Sequence, residues 1–184
     1  WSSERGRPAR RVPLAARPPV LGEAGANPEN SGETLYENDG VRLWRLPAVD
    51  AGIGIVSFKS KAHAIGAEVV EGVMAAIARA ESALSGLVLW HEAPFAVGAN
   101  LQQVGEACAA GQFDMLEQTV EKFQRASQTL KYAQVPVVAA VQGMALGGGC
   151  EFLMHAGKRV MALESYVGLV EAGVGLIPAG GGCK

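Results

Sequence analysis

Two carboxylates stand out because of what surrounds them. Glu151 follows Gly147, Gly148, Gly149 and Cys150 and precedes Phe152, Leu153 and Met154. Glu171 lies in "YVGLVEAGVGLIP", with no other charged residue from Val167 to Ala179. Water stabilises an ionised carboxylate, so an acid among apolar residues has its pKa raised toward the range useful for proton transfer near neutrality. A glutamate in the first turn of a helix is also a favourable partner for the helix dipole. The position of Glu151 fits both uses. Isolated acids in an apolar, glycine-rich setting are uncommon, and they mark candidate sites.

The three glycines point the same way. They cost backbone entropy on folding, and they stand where an apolar run, "VPVVAAVQG" (135–143), gives way to a helix starting near Gly148. The unpaired amides of a helix start and the positive end of its dipole face one space. Upstream, "FAVGANL" (95–101) offers Gly98 and Ala99, small residues that let a ligand approach the main chain. Two such loops side by side can each give one N–H to a developing oxyanion. A close helix–strand contact would use glycines too. A phosphate loop fits less well: the spacing is not G-x-x-x-x-G-K-[ST], and no lysine follows.

These loops need a scaffold. "VRLWRL" (41–46) and "GIGIVSF" (52–58) read as a β-hairpin. Residues 67–84 carry Val69, Val73, Met74 and Ile77 at helical spacing, and "GLVLW" (86–90) reads as a buried strand. A helix is expected from near Asn100. A longer one spans about 111–132, with Phe113, Leu116, Val120, Phe123 and Leu130 along one face, and ends before Pro136. Strand 135–143, the helix from Gly148 and strand 158–163 complete the pattern. Alternation of this kind predicts an α/β fold with a mainly parallel sheet and ligands beyond the carboxyl ends of its strands. Trp44 and Trp90 fall in predicted strands and are expected to fill the core.

Composition narrows the partners. With 184 residues, about half hydrophobic, and 16 basic against 18 acidic side chains, the chain can bury a sizeable core and has no global attraction to nucleic acid or anionic lipid. No apolar run is long enough to span a membrane. Cys108, Cys150 and Cys183 lack paired or metal-ligand spacing, which favours free thiols in a reducing compartment. His63, His91 and His155 are scattered, so no metal site is expected. His155, four residues after Glu151, is expected to make packing or polar contacts. Residues 1–33 carry five arginines and five prolines without apolar periodicity and read as a linker or tail ahead of a domain at 34–184. A chain that opens on Trp1 and stops in "IPAGGGCK" reads as a fragment.

Three motifs in order, "PFAVGANL", "VPVVAAVQGMALGGGCE" and "VGLVEAGVGLIPAGGG", give residues 35–184 a resemblance to the crotonase (enoyl-CoA hydratase/isomerase) superfamily. "LYENDGVRLWRL" and "VSFKSKAHAIG" resemble the branch attached to a 3-hydroxyacyl-CoA dehydrogenase. The resemblance implies a spiral of ββα repeats whose C-terminal helices would be missing here. It implies that the Ala99 and Gly148 amides, beside Gly98, form an oxyanion hole, and that Glu151 and Glu171 are the catalytic acids. The main chain at Ala62 and Ala64 would bind adenine and pantetheine, and Lys59 or Lys61 would reach a CoA phosphate. The implied reaction hydrates 2-trans-enoyl-CoA in fatty-acid β-oxidation, with Δ3-Δ2-enoyl-CoA isomerisation or non-catalytic acyl-CoA binding as alternatives. It needs no cofactor, and NAD belongs only to the dehydrogenase part. An oligomer or β-oxidation complex in a bacterial cytoplasm is the implied setting. Asn100 and Val170 stand where the family often has aspartate and proline.

Overall fold

The computed structural model describes residues 28–184. The arginines of the expected linker lie outside the described residues. The chain divides into two units, Trp1–Ser31 and Gly32–Lys184. Of the first, the described part is a single 3-10 turn, Pro28–Ser31, in which the Ser31 hydroxyl donates to the Pro28 carbonyl.

The second unit is mixed α/β. Strands β1 (Glu33–Glu37), β2 (Val41–Leu46) and β3 (Asp50–Phe58) pair antiparallel, and β4 (Gly86–Leu89), β5 (Val137–Val141) and β7 (Lys158–Met161) extend the sheet in parallel, in the order β1-β2-β3-β4-β5-β7. Helix α1 (Ala67–Ala83) crosses between β3 and β4. Helices α2 (Leu101–Ala109) and α3 (Phe113–Lys131) cross between β4 and β5, and α4 (Gly148–His155) leads toward β7. The apolar positions predict these contacts. Val69, Val73 and Ile77 of α1 are buried with Val56, Leu87, Leu89, Val137 and Ala139 of the strands. Trp44 is fully buried. Its indole N–H donates to the Ser57 hydroxyl, which donates in turn to the Trp90 carbonyl, so the polar edge of the ring is satisfied inside the core.

A second, smaller parallel ladder lies over the first. It consists of β6 (Met144–Leu146) and β8 (Tyr166–Gly168), continued by bridges from Ala96 to Ala145 and from Ile65 to Ala99. From β3 onward each turn of the chain therefore leaves one segment in the large sheet and one in this ladder, the ββα advance that the resemblance implies.

Some elements differ from the sequence reading. β1 is extra; it is only half covered and is tied to β2 by Arg45–Glu33. β6 and β8 are three residues each, too short to show a period. Phe113, placed on the buried face of the long helix, is 66% exposed, because α3 begins there and the helix meets the core only from its middle. β7 ends two residues before the expected strand 158–163 and is an edge strand with all four residues exposed.

Candidate active site

The ladder brings the two glycine loops together. Ala96 exchanges hydrogen bonds with β6 through Met144 and Leu146, after which Gly98 takes φ +93° and turns its carbonyl the other way, to accept from the Ile65 amide at 2.8 Å. That reversal needs glycine. A methyl at Gly98 would stand 3.5 Å from the Gly148 amide nitrogen and 2.9 Å from the Leu146 carbonyl. Ala99, exposed at the surface of this junction, follows directly.

Gly147, Gly148 and Gly149 answer three different demands. Gly147 precedes α4 with φ +51°, its amide donating to the Gly168 carbonyl at 2.9 Å. A Cβ at Gly148 would fall 2.8 Å from Phe123 Cζ, and one at Gly149 only 2.6 Å from Ala96 Cβ. The run is therefore both a tight turn and a close helix–ladder contact. It also places the Gly148 amide nitrogen beside Gly98. Among the described loop and cap hydrogen bonds, neither the Ala99 nor the Gly148 amide is a donor.

Both glutamates border this space. Glu171 opens a 3-10 turn (Glu171–Val174) after β8, with its Oε1 3.2 Å from where a Gly147 Cβ would be. Its Oε2 is buried and has no partner, an acceptor left for a ligand or a water. Glu151, on the fourth position of α4, is 3% exposed. Its Oε1 accepts from the Gly182 amide at 2.9 Å. Burial pushes its pKa up and the charge of Glu171 adds to this, while the amides of Gly180, Gly181 and Gly182 pull it back down. The charge of Glu171 is thus felt at Glu151. Burial and both glutamates raise the Cys150 thiol, so it is a protonated packing group. His155 is buried and hydrogen-bonds through Nδ1 to the Glu151 main-chain carbonyl at 2.7 Å, a polar contact as expected.

The segment after β3 sits at the other side of Ala99. Ala62 and His63 have φ of +51° and +54°, a strained double turn. His63 Nδ1 bonds the Pro94 carbonyl, its ring packs 4.1 Å from that of His91, and the Ser60 hydroxyl donates to the Ala64 carbonyl. Lys61 is exposed on this turn. Lys59 is engaged elsewhere: its ammonium pairs with Glu37 at 2.8 Å and donates to the Asn38 carbonyl. Of the two candidate lysines, the turn therefore presents Lys61.

Sequence reasoning missed two parts of the site. One is a cavity of about 620 Å³ beside Ala99, lined by Ile65, Val70, Val104, Ala107, Leu116 and Phe123 among others. It is built from three helices far apart in sequence and leaves no local motif. The other is the turn at Gly180–Gly182, which approaches Glu151 so closely that a Cβ at Gly180 would lie 2.5 Å from Oε2. The triplet "GGG" is its signal. No group of three or more His, Cys, Asp or Glu among the described residues is arranged to hold a metal ion.

A family model described as enoyl-CoA hydratase/isomerase matches residues 49–184. The chain belongs to this family. The family segment includes both glycine loops and both glutamates. A "Probable 3-hydroxyacyl-CoA dehydrogenase" of Bacillus subtilis is 38% identical over 153 residues, which are 82% of this chain and 19% of that protein. A "Fatty acid oxidation complex subunit alpha" of Colwellia psychrerythraea is 33% identical over 110 residues, 60% of this chain and 15% of the relative. The chain thus spans less than a fifth of the length of these curated relatives. A crystal structure of an enoyl-CoA hydratase from Polaromonas sp. JS666 superposes with a TM-score of 0.70 over 76% of this chain and 55% of that one, at 23% identity, which establishes the shared fold. No helix among the described residues of this family member is long and apolar enough to cross a membrane.

Proposed function

We propose that the site hydrates 2-trans-enoyl-CoA to 3-hydroxyacyl-CoA. The observation that supports this reading is that Glu151 and the buried, unpartnered Oε2 of Glu171 lie beside the glycine loop and helix start that carry the Ala99 and Gly148 amides. The thioester oxygen accepts from the Ala99 and Gly148 amides, which stabilise the enolate oxyanion by several kcal/mol in a dry site. Glu151 takes a proton from water as the oxygen bonds to C3, and Glu171 delivers a proton to C2. No cofactor enters the balance. Opposite proton duties call for different settings, and here three glycine amides surround Glu151 while Glu171 Oε2 is buried without a partner. The strained turn at Ala62–Ala64 would meet adenine and pantetheine through its main chain, with Lys61 near a CoA phosphate. The acyl chain would enter the cavity beside Ala99.

The dehydrogenase name of the Bacillus subtilis relative and the fatty-acid oxidation name of the Colwellia one support attachment to a 3-hydroxyacyl-CoA dehydrogenase, where NAD would act. Bacterial relatives and free cysteines support a cytoplasmic β-oxidation complex or oligomer as the setting. Isomerisation of a 3-enoyl-CoA needs one proton shuttle only. The presence of both glutamates favours hydration over it, and over an acyl-CoA-binding role without catalysis.

The test is conversion of 2-trans-enoyl-CoA by the intact protein, followed by loss of the conjugated thioester absorbance and by mass. Glu151→Gln and Glu171→Gln should each lower turnover by about two to four orders of magnitude with acyl-CoA still bound. Turnover of 3-enoyl-CoA to 2-enoyl-CoA without water addition would favour the isomerase, and binding without either conversion the acyl-CoA-binding role.

A further inference from the structure

Helix α3 touches the site through one face that the reaction itself does not use. Phe123, Gln124 and Ser127 project from its middle toward the segment Ala179–Gly182. The Ser127 side chain is fully buried and its hydroxyl donates to the Gly180 carbonyl at 2.7 Å. Gln124 Nε2 donates to the Ala179 carbonyl at 2.8 Å. A hydroxyl in an apolar helix face costs free energy unless it is hydrogen-bonded. Alanine would have packed as well, so the bond to Gly180 is what the serine adds.

That bond fixes a peptide whose other side matters. With the carbonyls of Ala179 and Gly180 drawn toward α3, the N–H groups of the same two trans peptides, those of Gly180 and Gly181, point the opposite way, and the next amide, that of Gly182, donates to Glu151 Oε1 at 2.9 Å. The fit leaves no slack. A Cβ at Gly180 would lie 2.4 Å from Phe123 Cδ1 and 2.5 Å from Glu151 Oε2, and one at Gly181 would lie 2.8 Å from His155 Cε1 and 3.0 Å from Ser127 Oγ.

We propose that Ser127, assisted by Gln124, is a positioning residue for Glu151: by holding the carbonyls of Gly180 and Ala179 it aims the glycine amides at the carboxylate that takes the proton from water. The inference rests on Glu151 being the base of the hydration. Three amides then act against burial and against Glu171, which both favour the protonated form. The other titratable groups around Glu151 are the Cys150 thiol and His155, whose ring is turned to the main-chain carbonyl. Helix α3 adds no charge on this face, since Lys122 and Arg125 are exposed and Lys122 reaches Glu71 instead.

A base must be unprotonated to act, so turnover falls as pH drops through its pKa. In the intact protein, Ser127→Ala should move this acid limb of kcat to higher pH by roughly one unit, the scale on which hydrogen bonds tune a carboxylate. Below the limb this lowers kcat about tenfold, with KM for enoyl-CoA little changed. Ser127→Thr, which keeps the hydroxyl, should restore the limb. If Ser127→Ala does not fold, Gln124→Leu at a half-buried position should still shift the limb in the same direction by a smaller amount. An unmoved limb in the folded variant, or an equal shift in Ser127→Thr and Ser127→Ala, would reduce Ser127 to packing. The same acid limb persisting in the residual activity of Glu151→Gln would instead remove the base assignment on which the inference stands.

Discussion

Single residues shape the candidate site through what they lack as much as through what they bear. Gly148 shows it. Proline at this position would delete the N–H proposed to hold the oxyanion while starting a helix in a conformation that proline favours. Alanine would keep the N–H but put a Cβ 2.8 Å from the Phe123 ring. Both changes meet the same steric obstacle, and only one removes the donor. Gly148→Pro should therefore abolish hydration, whereas Gly148→Ala should retain part of it. Steady-state rates on one enoyl-CoA, with circular dichroism to check the fold, measure the difference. Equal losses would mean that space, not the amide, is what the position supplies. Gly147→Ala is a separate case: φ +51° is costly for alanine, and its Cβ would crowd Glu171 Oε1 at 3.2 Å, so stability and turnover should fall together. The candidate residues stood out in the sequence because of their unusual neighbours, and the structure places them together. "GGGCE" and the lone Glu171 broke the local pattern. The partners of Glu151 were not legible, since Gly182 lies 31 residues on and approaches only after the chain has passed through β7 and β8.

At the scale of elements, the large strands and helices announced themselves by period and the small ones did not. α1, α3, β4 and β5 have long apolar rows that only one geometry buries. β6 and β8 have three residues each and hold their place through pairing across the ladder, a tertiary property absent from either segment alone. The cavity has the same origin. Ile65 comes from the turn before α1, Val104 and Ala107 from α2, and Phe123 from α3, and no window of sequence contains them together. Its volume of about 620 Å³ lies within the range of pockets that enclose whole ligands, enough for an acyl chain well beyond four carbons. Ala107 is buried on the cavity side of α2. Ala107→Phe should fill part of that space, lowering kcat/KM for long enoyl chains by about tenfold or more while sparing crotonyl-CoA, because each buried methylene removed from an apolar site weakens binding by about 0.8 kcal/mol. A chain-length series on the two proteins reads this directly. Parallel losses at every length would place the acyl chain elsewhere.

For the molecule as a whole, two ionisable groups inside the Gly32–Lys184 unit give stability opposite slopes with pH. His91 is 1% exposed; the Phe58 amide donates to its Nδ1 and its Nε2 hydrogen-bonds the Phe95 carbonyl, which defines a neutral ring. Burial, with a smaller contribution from His63, pushes its pKa down to about 3. The unfolded chain binds a proton at this histidine below about pH 6.5 and the folded chain does not, so stability is complete above that pH and drains as pH falls toward 3. Glu151 runs the other way. Its folded pKa is raised, so between the ordinary carboxylate value and the raised one the folded state holds the extra proton, and stability falls as pH rises. A carboxylate held in an apolar site is thus a cost to the fold, one that the proposed proton transfer would justify. Glu151→Gln should raise the urea midpoint at neutral pH while removing activity, and should flatten the loss of stability on the alkaline side of the window. His91→Phe should lower the midpoint at pH 7, because the Phe58 amide loses its acceptor, yet make stability less dependent on pH between 6.5 and 4. Urea melts of the intact protein and both variants at half-unit steps from pH 4 to 8 separate the two effects. A His91→Phe protein with the same acid slope as the parent would mean that other groups, not this buried ring, set its sensitivity to acid.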